Sequence, residues 1–176
     1  MSTKSVVNYF LHIVANRFSR SSCVGKSYQE ENEMSAEQEK FVIQAVIEDW
    51  AKAVGDKDAK RVLSHLTDDL VEFSLAPPLQ FQGKNADDLR SWFDTWVGPI
   101  GNESRDAKIT CSENVAFARS LVRMTGTKTG GEKVDLWFRQ TLGLIRVNST
   151  WKICHTHASV PFYMDGSFKA AIDLKP

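Results

Sequence analysis

The stretch WKICHTHASVPF, residues 151–162, carries two histidines two positions apart, His155 and His157. Its pattern predicts a β-strand, and on a strand residues i and i+2 point to the same side. An imidazole titrates near neutral pH, so the pair suits proton transfer or hydrogen bonding to a ligand. Three readings compete: structural histidines in a core or interface, acid–base groups in a pocket, and metal ligands. Zinc takes three or four N, S or O ligands. His65 is far away in sequence and no third ligand is evident, so no metal and no other cofactor is expected.

A second group repeats the same spacing. In DLWFRQTLGLIRV, Asp135, Trp137 and Arg139 alternate along one predicted strand. An aromatic wall, a cation and titratable imidazoles together make the composition of a specific small-molecule site. In such a site His155 or His157 acts as acid or base, Arg139 is the electrostatic partner, and Asp135 orients an arginine. Trp50, Trp96, Trp137 and Arg119 are candidates for the ligand-contacting wall. No G-x-S-x-G elbow is present, and TGG at 129–131 reads as a hairpin turn without a following helix, not a phosphate cradle.

These residues need elements to hold them. SAEQ, residues 35–38, can form a capping box, and Ile43, Val46, Ile47, Trp50 and Val54 then recur at helical spacing over about 35–54. Gly55 is placed to end that helix, and Asp58 can cap a shorter second one. Val71, Phe73 and Leu75 alternate with Glu72 and Ser74 as a short strand stopped by Pro77 and Pro78, with Asp68 and Asp69 in the turn before it. A third helix is predicted over 85–97, capped by Asn85, with Leu89, Trp92, Phe93 and Trp96 as its stripe and Gly98–Pro99 as its close. Strands follow at about 105–111, 115–127, 132–147 and 150–160, joined by short turns. Helices first and an antiparallel meander after give an α+β fold: three helices packed in a curved antiparallel sheet.

Register decides which side chains meet. If the TKTGG turn pairs Thr127 with Gly131, Arg123 faces Asp135 and Arg119 faces Arg139. The second pairing sets like charges opposite each other, which a bound anion or nearby carboxylate would relieve; the other reading lets both side chains splay into water. In the last hairpin, pairing Val147 with Trp151 puts the histidines on the face of Trp137 and Arg139, whereas pairing Val147 with Thr150 puts them on the other. A bulge at Gly143 reconciles the two, and the shared face is the expectation.

Composition bounds the rest. The chain has 176 residues, 22 Lys plus Arg against 22 Asp plus Glu, and three cysteines without metal-type spacing. Zero net charge gives no footprint for nucleic acid. No apolar run reaches the roughly 18 residues of a membrane span. Scattered thiols fit a reducing compartment, so a cytoplasmic location is expected. Residues 1–29 contain basic residues and six serines but no acid. They read as an extension or tail, with organelle targeting as the alternative. The domain is therefore set at 34–176, with 1–33 as the extension.

Taken together, the Trp-bearing first helix, LTDDLVEFS, FQGKNADDLRSWFDTW, DLWFRQTLGLIRV and WKICHTHASVPF resemble the SnoaL-like branch of the NTF2-like superfamily, the fold of ketosteroid isomerases and polyketide cyclases, over about 36–165. The resemblance implies a cone-shaped α+β fold, usually a homodimer, with a pocket between helices and sheet. The aspartate base of ketosteroid isomerases has no counterpart, since Phe73, Ser74 and Leu75 stand in that region. Where many SnoaL-like members carry His-Glu-His, this chain has His155, Thr156 and His157. The expected function is binding of an apolar or aromatic small molecule, with proton transfer next to a carbonyl as its chemistry. The alternative is a non-catalytic homodimeric module of the same fold. A homodimer through the outer face of the sheet follows from the large apolar groups on both faces of the 132–147 strand.

Overall fold

The computed structural model describes residues 36–176. The expected capping box at Ser35 and the 1–33 extension lie outside the described residues. The compact unit that carries the fold is Lys40–Pro176.

Helix α1 runs over 36–55, and its stripe is the expected one: Ile43 and Ala53 are fully buried, with Val46, Ile47, Trp50 and Val54 packed beside them. Gly55 is its last residue but does not take the left-handed cap conformation. A Cβ at Gly55 would lie 2.9 Å from the Ile100 carbonyl oxygen, so the glycine serves close approach to the sheet, and Lys57 takes the left-handed turn with φ 58°. Helix α2, Ala59–Ser64, is capped by Asp58, whose carboxylate accepts from the Arg61 amide at 3.0 Å. Helix α3, Ala86–Asp94, is capped by Asn85, which accepts from the amides of Asp87 and Asp88.

The strands are β1 (Leu66–Phe73), β2 (Phe81–Gln82), β3 (Trp96–Cys111), β4 (Val115–Lys128), β5 (Lys133–Val147) and β6 (Thr150–Ser159). They form one curved six-stranded sheet in the order β2-β1-β6-β5-β4-β3. The α+β class stands. The sheet is mixed rather than antiparallel throughout, because β1 runs parallel to β6. Two expected boundaries move. Asp68 and Asp69 belong to β1, within an irregularity between Leu66 and Val71. Trp96 opens β3 instead of closing α3, and Gly98 and Pro99 lie inside that strand. An edge strand tolerates a proline, whose missing N–H faces away from the ladder, and β3 bulges between Val97 and Gly101.

One core lies between the helices and one face of the sheet. It gathers Ala116, Ala118, Leu142, Leu144, Trp151 and Ile153 against α1, α2, Phe93 and Trp96. Directly paired strand residues share a face. Ala118 pairs with Leu142 and Leu144 with Ile153, so their strand neighbours, including Arg119, Thr141 and Gly143, occupy the outer face. No helix among the described residues is long and apolar enough to cross a membrane.

Candidate functional site

The last hairpin pairs Val147 with Thr150, and a single extra residue on β6, Cys154, then restores the parity. Beyond it His155 lies opposite Gly143, His157 opposite Thr141, and Ser159 opposite Arg139. The histidines thus share a face with Asp135, Trp137 and Arg139, as expected. Gly143 makes room for this: a Cβ there would sit 3.2 Å from the Cβ of His155. The shared face is the outer one, away from the helices.

The outer-face residues fall into separate groups. His155 donates its Nδ1–H to the Val71 carbonyl at 2.9 Å, and the edge of Phe73 meets both imidazoles, with ring centroids 4.9 and 5.7 Å apart. Trp137 lies four residues along β5 from the partner of His157, about 13 Å at strand rise. It packs under the Arg105 guanidinium, 5.0 Å from the ring centre. Asp135 is held in two-pronged fashion by Arg123, Nε–Oδ1 2.8 Å and Nη2–Oδ2 2.9 Å, with Lys175 at 3.4 Å. Arg123 beside it keeps the Asp135 carboxyl down at about 2, so at neutral pH it orients an arginine and carries no proton. That arginine is Arg123, not Arg139.

The expected β4–β5 register is corrected. Thr127 pairs with Lys133, two residues later than anticipated, because the turn closes through Lys128 and Glu132. A two-residue slip keeps every face but changes every partner: Arg119 faces Thr141, and Arg139 faces Leu121. The Arg119–Arg139 opposition does not occur.

Trp50 and Trp96 sit on the helix side, in and against the core, so they share no pocket with the histidines. Their indole N–H groups are buried without an acceptor among the described residues. On that side a cavity of about 60 Å³ opens between α1 and the sheet. Its apolar wall is Ile47, Ala51, Ile109, Ala118 and Leu142, and its polar groups are Gln44, Glu48, Ser104 and Ser120. Gln44 donates from Nε2 to the Glu48 carboxylate at 2.7 Å. Arg119 borders the cavity too, between Ala118 and Ser120, although its register position is that of Thr141. The arrangement offers a carboxylate and two hydroxyls around an apolar floor, which can orient a carbonyl compound and move a proton.

Two helix-side acids were not singled out from sequence. Glu48 looks like part of the wet face of α1, yet it is one position from Ile47 and borders the cavity. Glu72 looks like the exposed partner of Val71 and Phe73. The structure reverses that alternation: Glu72 pairs with buried Thr156, on the side of Leu70, while Val71 and Phe73 pair with the histidines outside. Half-buried and without a hydrogen-bond partner among the described residues, its carboxyl is pushed up by burial. The available signal was parity with Leu70. A third group, the Asp49 carboxylate, accepts from His65 Nε2–H at 2.7 Å and from Arg61. Its pKa is lowered to about 2, chiefly by the hydrogen bond from Arg61 and then by that from His65. The contact ties α1 to α2.

The SnoaL-like domain model matches residues 43–163. An NTF2-like protein of unknown function from Pseudomonas putida KT2440 is 31% identical with TM-score 0.70, the match covering 81% of this chain and 98% of that one. A ketosteroid isomerase-like protein from Erwinia carotovora atroseptica is 24% identical with TM-score 0.58, over 67% and 92% of the two chains. The association domain of C. elegans CaMKII is 16% identical with TM-score 0.59, over 72% and 98%. The last two likenesses speak for the fold alone. No curated protein matches the sequence. A domain match across the helix-side cavity and both faces of the sheet, joined to the same order of elements, makes this chain a member of the SnoaL-like branch of the NTF2-like superfamily.

Proposed function

We propose that the protein binds a small carbonyl compound in the cavity between α1 and the sheet. The cavity itself carries this reading. At about 60 Å³ it is well below the roughly 150 Å³ that accommodates benzene. Its occupant is therefore a short aliphatic group, not the aromatic ring that the sequence also allowed. Ser104 and Ser120 would donate to the carbonyl, and Glu48, held by Gln44, would take the adjacent proton. The test is mass spectrometry on the denatured extract of purified protein, alongside Ala118→Leu, which fills the cavity. A compound present in the parent and absent from the variant is expected, and so is exchange of its α-protons for deuterium that Glu48→Gln abolishes. An empty extract, or a compound equally retained by the variant, overturns the reading.

The second reading is a homodimer, favoured by large apolar side chains exposed on the outer face. Val115 is 60% and Phe117 48% exposed, with Val147 at 39% on the same end of the β4–β5 pair. Within that reading His155, in the row of Phe117 and Gly143, is an interface residue and not an acid–base group. Light scattering at micromolar concentration tests it: Phe117→Asp should yield a monomer from a dimer. We also place the domain at 34–176, behind an extension at 1–33, in the cytoplasm.

A further inference from the structure

The outer face carries a line of cations that neither reading uses. Lys108 of β3 pairs with Arg119 of β4, Arg119 with Thr141 of β5, and Thr141 with His157 of β6. Directly opposed residues share a face, so these four form one row across the sheet, and Arg139 stands two positions along β5 from Thr141. At about 4.8 Å between strands the row spans roughly 14 Å. All five residues are exposed.

The same face shows how the protein treats cations it has partnered. Toward the other end, Arg105 and Arg123 meet Glu103, Arg123 meets Asp135, and Lys175 meets Asp135. Lys108, Arg119 and Arg139 have no carboxylate within ion-pair distance among the described residues. Lys108 directly opposite Arg119 sets like charges against each other, an arrangement that works against the sheet. In a chain with equal numbers of acids and bases, this is a local excess of positive charge.

We propose that this row docks an acidic polypeptide segment. Carboxylates placed along it would relieve the Lys108–Arg119 opposition, and Thr141 and His157 would supply further hydrogen bonds. The exposed ring of Phe73, paired with His157, offers apolar contact beside the charges. The surface is open, and an isolated small anion on it would be solvated and screened. A segment presenting several carboxylates at once gains from each. Nucleic acid is a poorer match, because affinity there comes from neutralising about 6–10 phosphates and this row offers three permanent charges. A second copy of the chain brings the same cations, so a symmetric contact is confined to the apolar end at Val115, Phe117 and Val147.

The experiment uses the full chain and a fluorescent peptide of alternating glutamate and leucine, read by anisotropy at low and high salt. Saturable binding that weakens with salt is expected, and Arg119→Glu with Arg139→Glu should reduce it by about tenfold or more. Arg119→Gln with Arg139→Gln should reduce it less, and Lys60→Glu, on α2, should leave it unchanged. Thermal midpoints show whether each variant is folded, and the glutamine pair serves if the reversal is not. Equal binding of the lysine–leucine analogue, or indifference to both arginine pairs, overturns the proposal. So does displacement of the peptide by equimolar inorganic phosphate, or tighter binding of a single-stranded oligonucleotide.

Discussion

The two faces of the sheet are built on opposite principles although they share every strand. The helix side is held by area. Leu142, Leu144 and Ile153 are essentially inaccessible, and the buried indole N–H groups of Trp50 and Trp96 have no acceptor among the described residues. The outer side is held by pairing. Its one large buried aromatic, Trp137, lies beneath Arg105, beside the Arg123–Asp135 bridge. Apolar burial tolerates small errors of direction, whereas charge pairing depends on register. Along β6 the one extra residue, Cys154, lies between Ile153 of the inner face and His155 of the outer one.

Leu144→Ala should lower stability by about 2–5 kcal/mol, measured by denaturant midpoint. Asp49→Asn should lower the thermal midpoint by less. The sign with pH is fixed: Asp49 and Asp135 have folded pKa values near 2, below the ordinary value near 3.9. Their contribution is complete above about pH 4 and disappears as pH falls through about 2. The Asp49→Asn deficit should thus shrink in that window.

Glu72→Gln should act the other way. Its folded pKa is raised, so the folded state holds the proton more tightly and ionisation at neutral pH opposes folding. The variant should melt slightly higher at pH 7, and the gain should vanish below about pH 4, where the carboxyl is protonated in both states. The smallest effect belongs to Arg139→Ala, within about 0.5 kcal/mol, since no partner is lost. A larger loss would show that the outer cations matter to the fold itself.

Much of this architecture was legible. The stripe of α1, the caps at Asp58 and Asn85 and the strand count follow from periodicity and turn chemistry, which are local. The misplaced boundaries were non-local in origin. Trp96 continues a helical pattern, and only the edge position of β3 makes Gly98 and Pro99 acceptable in a strand. Glu72 reads as solvent-facing until β1 is laid parallel to β6. The shared face of His155, His157 and Arg139 could be anticipated through a bulge. That this face turns away from α1 could not, because alternation tells which residues travel together and not which side a helix covers. The helix-side cavity left still less trace, since Gln44, Glu48, Ser104 and Ser120 are ordinary surface types.

The parallel pairing of β1 with β6 also has a consequence in time. Val71 and His155, which face each other across that pair, are 84 residues apart in the chain. At about 5–20 residues per second of synthesis, β1 emerges roughly 4–17 s before the strand that will cover it. During that interval its only available neighbour is the two-residue β2, so one long edge of β1 stays open. The sheet closes last at its oldest strand, and the chain's exposure to wrong partners ends only when β6 arrives.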